Sequence, residues 1–192
     1  MAEEGSEYQR VPEAITPKVL ELCTKIGSRF RPGFVSISAE PDCEPADCFA
    51  NVSRKVNRDG GSIRVGWAIW EWPGVFIEGE HHAIYEPPAG SCIDITPSSR
   101  GITKRLFLRD DKATYDFQNE GVRRDNVRLA LADDSLIEEL FKAARKLNDF
   151  YNELPGVGII SIHASEDREL QKLKRRVARA TAALTEKYGA AE

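Results

Sequence analysis

Apolar residues recur along this chain at helical and at alternating spacings, and the spacing switches where glycine, proline or charged clusters intervene. Thr16-Pro17 opens a helix whose apolar pattern includes Cys23 and which Gly27 stops after Ile26. Phe34 to Ser38 predicts a strand, followed by a loop from Ala39 to Ala46 that carries Pro41 and Pro45. Asp47 is then suited to cap a helix in which Phe49, Val52 and Val56 share a face until Gly60-Gly61 ends it. Three strand-like runs follow within Ser62 to Gly74 and Val75 to Pro97, with a further strand at Arg105 to Leu108. The polar stretch from Asp116 to Arg128 reads as surface, with the lining of a cleft as the alternative.

Two helices close the chain. Ser135 and Glu138 form a capping box ahead of Leu136, Leu140, Ala144, Leu147 and Tyr151, a stripe that should pack on the sheet until Leu154-Pro155 ends it. From about residue 166 to residue 188, Leu170, Leu173, Val177, Ala180 and Leu184 recur at three- and four-residue steps, flanked by Lys172, Lys174, Arg175, Arg176 and Arg179. That stripe suits packing within the chain; the alternatives are a homodimer seam and a basic surface for a partner. Residues 1–14 read as a flexible segment and 15–192 as a single α+β domain, a helix packed on an antiparallel sheet plus two C-terminal helices.

Composition narrows the class of protein more than its chemistry. A chain of 192 residues with 41% hydrophobic and 30% charged positions can bury an ordinary core. A net charge of −4 and a pI near 5.6 argue against a general nucleic-acid binder. The polar start Met1 to Glu7 lacks a secretory pattern, the four cysteines are sparse, and no apolar run is long enough to span a membrane. The expectation is a cytoplasmic protein with free cysteines.

Candidate chemistry concentrates between Asp47 and Pro97. Cys48 falls in the first turn of its helix, where unpaired N–H groups and the helix dipole favour a thiolate and can hold an oxyanion. His82 and Asp94 are equidistant from Pro88, so a hairpin centred there sets them directly across from each other, with His81 on the opposite face. Cys48 as nucleophile, His82 as general base and Asp94 as the acid that orients it would attack an amide or ester carbonyl and form a thioester. Asn51, Trp67 and Trp70 are the nearest candidates for a side-chain oxyanion donor. Trp70 and Trp72 share a strand face and Trp67 takes the other; each suits core packing, or stacking on a substrate beside a cleft. Glu80 lies on the face of His82, placed to tune its protonation.

Zinc is the competing chemistry. Cys43, Cys48, His81, His82 and Cys92 include enough ligands, with Cys43, Cys48, His82 and Cys92 as the alternative set, although Cys-x4-Cys without a second close pair is a weak zinc pattern. The other cysteines also fit bland roles, Cys23 in a helix core and Cys92 in a strand core. A non-catalytic interaction module on the same fold is the third reading.

The run Cys48-Phe49-Ala50, then Arg58 to Trp67, then His82-Ala83-Ile84, then Asp94-Ile95-Thr96-Pro97 resembles the core of the transglutaminase-like branch of papain-fold cysteine enzymes. There a cysteine opens a helix, a histidine begins a His-Ala strand, and an aspartate lies in an Asp-x-Thr-like strand after a turn. The tryptophan-rich segment Gly66 to Trp72 departs from that pattern. The resemblance implies a papain-like fold, no cofactor, and acyl chemistry on a peptide or other amide, by hydrolysis, deamidation or transfer to an amine.

Overall fold

The computed structural model describes residues 8–98, 100–117, 124–153 and 164–189. Its elements run α1 (Pro17–Ile26), β1 (Gly33–Ile37), α2 (Cys48–Asp59), β2 (Ser62–Trp72), β3 (Phe76–Glu86), β4 (Ile93–Asp94), β5 (Lys104–Arg109), β6 (Val127–Ala130), α3 (Ser135–Glu153) and α4 (Ala164–Tyr188). The fold is mixed α+β, as the apolar spacing predicts. Thr16 caps α1 by accepting from the Val19 N–H at 3.2 Å, and Gly27 ends it at φ 78°. The end of α3 at Leu154-Pro155 and residues 1–7 of the N-terminal segment lie outside the described residues.

The sheet is neither open nor wholly antiparallel. Its order is β2-β5-β1-β4-β3-β6, and β2 also pairs along its whole length with β3, so five strands close into a barrel-like ring with β6 added to an edge of β3. The β1–β4 pair is parallel. A ring this small has room inside only for side chains. The registers place Ala68 and Trp70 of β2, Glu80, His82 and Ile84 of β3, Asp94 of β4 and Arg105 and Phe107 of β5 on its inner face. The outer face carries Trp67, Ile69, Ile77, Leu106 and Leu108, which α1 covers through Val19, Leu22 and Cys23. It also carries Ala83 and Tyr85, which pack with Cys48 and Val52 of α2.

The β2–β3 hairpin extends beyond the ring, and α3 and α4 cover that end. Ile137, Leu140, Ala180 and Leu184 bury against Trp72, Val75 and Phe76. Leu170 and Leu173 of the α4 stripe are buried as well, so the described part of the stripe packs within the chain. Residues 8–10 of the N-terminal segment lie against the hairpin. Tyr8 stacks on Trp72 at 5.1 Å, Gln9 is buried and bonds Glu78, and Arg10 exchanges two 2.8 Å backbone bonds with Glu71. The tail of the polar stretch also lies against the hairpin, because Val127 to Ala130 pair with Phe76 to Gly79 as β6.

Ring closure depends on a missing side chain. Gly66 lies opposite His82 and opposite Arg109, and a Cβ there would sit 2.1 Å from the Leu108 carbonyl oxygen and 2.8 Å from the Phe107 ring. The Leu108 carbonyl, part of the β5 backbone, cannot yield without disturbing the β2–β5 pairing. Gly66→Ala is expected to lower the free energy of unfolding by at least about 2 kcal/mol in urea titrations; an unchanged midpoint would contradict the pairing of β2 with β5 at this register.

Candidate active site

Helix α2 begins where the sequence predicts, but Asp47 does not cap it in the expected way. Its side chain makes no cap hydrogen bond and its carboxylate lies 3.6 Å from Arg54 instead. Ala46, immediately before it, is held at φ 58°, a conformation that costs a residue with a Cβ. The first-turn N–H groups are thus not taken up by Asp47, and Cys48 stands among them, buried and free of any disulfide.

Asn51 fixes where that turn sits. Its amide donates to the Glu44 carbonyl at 2.8 Å and to Thr96 Oγ1 at 3.2 Å, and its oxygen accepts from the Glu44 N–H at 3.0 Å and from Arg54 at 2.6 Å. These bonds tie the loop before Cys48 to α2, and α2 to the chain just after Asp94. A surface network adds to the clamp: Arg58 reaches Glu40 at 2.7 Å and Asp42 at 2.6 Å, and Lys55 pairs with Glu40 and Asp59. The amide of Asn51 is occupied by these structural bonds.

His82 and Asp94 meet, though not through the predicted register. Tyr85 pairs with Ile93, which sets Asp94 opposite Ile84 and shifts the hairpin by two residues from a pairing centred on Pro88. A two-residue shift preserves the face, so the imidazole and carboxylate become diagonal neighbours and remain within reach. His82 Nε2 donates to Asp94 Oδ2 at 2.9 Å. Asp94 Oδ1 accepts from the Thr96 N–H at 3.0 Å, and Arg105, which the sequence offers only as the start of a strand, donates through Nε to Oδ2 at 2.6 Å. Asp94 and Arg105 are both 0% exposed. A charged residue on the inner face of the otherwise apolar strand Leu106-Phe107-Leu108 was the available signal for Arg105.

Electrostatics couples Cys48 to this pair. Burial opposes a charge on His82, but Cys48 and Asp94 both favour the imidazolium and outweigh it, holding the ring above the usual histidine range. Burial likewise opposes ionisation of Asp94, and the His82 and Arg105 charges reverse that and hold it below the usual carboxylate range. Cys48 packs on the outer side of β3 and His82 points inward. Residues 80–84 of β3, between the pairing with β6 at Gly79 and with β4 at Tyr85, have no partner strand on that edge among the described residues. Among the described residues no hydrogen bond joins the Cys48 Sγ to the His82 ring, so the two interact through space.

The remaining candidates have defined places. Trp67 Nε1 donates to Asp110 at 3.0 Å on the outer face, and Trp70 Nε1 donates to Glu80 at 2.7 Å on the inner one. Both indole N–H groups are therefore committed. Trp70 and Trp72 do share a face opposite to Trp67. Glu80 is partly exposed, yet burial of its carboxyl pushes it up to about 7. His81 faces outward, 4.8 Å from the Phe49 ring, with Nε2 donating to the Ala113 carbonyl at 2.9 Å; burial pushes it down to about 4. Cys92 sits 3.9 Å from Glu86 at the hairpin turn, and burial raises its thiol. Among the described residues no three His, Cys, Asp or Glu side chains converge to hold a metal, so Cys43, Cys48, His82 and Cys92 do not assemble as a zinc site. No described helix is long and apolar enough to cross a membrane.

No family model, no curated protein and no solved structure matches this chain.

The buried pair makes stability depend on pH with a definite sign. His82 binds its proton more tightly folded than unfolded, so its contribution is complete below about pH 6.5 and is lost as pH rises through the folded value. Asp94 binds its proton less tightly folded, so its contribution is complete above about pH 4 and is lost as pH falls. The difference in unfolding free energy between wild type and Asp94→Asn should therefore be largest between about pH 4 and 6.5, reaching roughly 3–5 kcal/mol. A difference that stays flat from pH 3 to 9 would contradict the ionised pair.

Proposed function

We propose that this protein is a cysteine-dependent acyl hydrolase or acyltransferase acting on an amide, with Cys48 as nucleophile, His82 as general base and Asp94 as the residue that orients it. The observation that carries this reading is the buried contact of His82 Nε2 with Asp94 Oδ2, on an imidazole whose charge is favoured by the thiol at the start of α2. Asp94 occupies Nε2, so Nδ1 is the ring nitrogen left to serve the thiol.

The chemistry then follows in order. Nδ1 takes the Cys48 proton, and the thiolate attacks the carbonyl carbon, moving the carbonyl electrons onto oxygen. The first-turn N–H groups of α2 are the donors available to that oxyanion, since the side-chain donors of Asn51, Trp67 and Trp70 are engaged elsewhere. The tetrahedral intermediate collapses, its C–N bond breaks, and the amine leaves with the proton that His82 returns. The resulting thioester is cleared by water or by an acceptor amine, which His82 deprotonates as it attacks, and Cys48 is released. Water yields an acid; an amine yields a new amide. Phe49, stacked 3.8 Å on Tyr115, and the 41% exposed Phe117 set edge-on to Tyr115 at 4.9 Å form an aromatic row beside Cys48 that suits an apolar acyl group.

The order of cysteine, histidine and aspartate, and their placement on a helix start and two strands of an α+β fold, agree with the transglutaminase-like branch of papain-fold enzymes, which we take as the relationship this site suggests. That analogy supports acyl chemistry and does not choose the acceptor.

Iodoacetamide labelling of each cysteine, followed by mass spectrometry from pH 5 to 9, tests the pair without a known substrate. Cys48 is expected to label below neutral pH, roughly 10-fold or more faster than an ordinary thiol, which ionises near 8.5, and His82→Ala should abolish that excess. Labelling of Cys48 that rises only near pH 8.5, unchanged by His82→Ala, would overturn the proposal.

A further inference from the structure

We infer that Arg105 is a positioning residue of this site, holding Asp94 in place and sharing its Oδ2 with the His82 ring so that the imidazolium can give up its proton. The inference rests on the reading of His82 as general base. It starts from geometry: His82 Nε2 and Arg105 Nε converge on the same oxygen, at 2.9 and 2.6 Å, while Oδ1 is fixed by the Thr96 N–H at 3.0 Å. An aspartate alone beside a buried imidazole would hold the ring protonated and make it a poor base. A second cation on the same carboxylate oxygen draws part of that attraction away.

Arg105 is itself held from behind. Its guanidinium carbon lies 5.1 Å from the centre of the Trp70 ring, and the Trp70 N–H is bonded to Glu80. The chain Asp94, Arg105, Trp70, Glu80 thus links four strands across the interior of the ring. Among the described residues, the charged and titratable groups coupled to His82 include Glu80 and the neighbouring His81 from its own strand, Asp94 from β4, Arg105 from β5 and Cys48 from α2, while β2 presents Gly66 opposite it. Arg105 disfavours the imidazolium from across the ring, whereas Cys48 and Asp94 favour it and Glu80 is a carboxylate. Asp94 and, when ionised, Glu80 are carboxylates coupled to the His82 ring, and Arg105 is the cation set against Asp94, so removing Arg105 shifts the charge around the ring toward negative.

The test follows the His82 ring itself by NMR in the full chain, which holds three histidines. In Arg105→Met the midpoint of the His82 titration should move up by about one pH unit, and Arg105→Lys, which keeps the charge, should return it to within a few tenths of wild type. A folded Arg105→Met protein with an unmoved or lowered midpoint would overturn the inference. Should the variants fail to fold, the wild type still decides: the Arg105 Nε–H resonance should shift with the same midpoint as the His82 ring, and a resonance flat through that titration would overturn it. Labelling of Cys48 separates this inference from the acyl reading. An activated Cys48 with unmoved midpoints sinks only the role of Arg105, whereas an ordinary Cys48 sinks the acyl reading and leaves the coupling to be read from the ring.

Discussion

A fully buried carboxylate must be satisfied from within the protein, and Asp94 is satisfied by donors drawn from three directions. His82 comes from β3, Arg105 from β5, and the Thr96 N–H from the chain just beyond β4. Taking a carboxylate out of water costs several kcal/mol, which only good geometry and additional hydrogen bonds recover. The closed ring supplies that geometry, since β1 lies between β4 and β5 and sets Asp94 beside Arg105. An apolar lumen of the same volume would often be as stable or more so. The polar one is best understood as a requirement of the site, and the ring as the frame that makes it affordable.

Around that centre, the molecule divides its labour by face. The outer face of the ring is apolar and covered by α1 and by α2, whose start carries Cys48. The inner face carries the ionisable groups. Among the described residues, no strand pairs with the edge of β3 along Glu80 to Ile84 beside His82, and Asn51 anchors α2 to Thr96. The far end of the hairpin is closed by α3 and α4 and by Tyr8 on Trp72, contacts that are apolar and remote from the chemistry. The apolar packing and the proposed catalytic groups thus lie at different ends of β2 and β3.

The local elements were legible because their signals are local. Helix α2, the strands β2 and β3, and the strand at Arg105 to Leu108 follow from spacing and from glycines that fix their ends. The shared face of His82 and Asp94 was also readable, because a strand alternates faces whatever its register. What escaped were facts set by distant partners. The hairpin slips by two residues because β4 is a short strand also paired in parallel with β1, a contact that no hairpin rule contains. Ring closure through β2–β5 joins segments some forty residues apart in sequence, about Gly66 to Arg109. Arg105 was legible only as the start of a strand, because β1 and β4 are what bring a carboxylate against it, and Asp47 resembled a cap until Arg54 drew its carboxylate aside.

The central claim is that Cys48 carries an acyl group through a thioester. The most direct measurement is intact-mass and peptide mass spectrometry after brief exposure to p-nitrophenyl acetate, with quenching in acid. The account predicts a burst of p-nitrophenol of about one equivalent and a single acetyl group on Cys48, removed by hydroxylamine and absent in His82→Ala. Acetylation spread over lysines, or confined to another cysteine, with Cys48 unmodified, would contradict it.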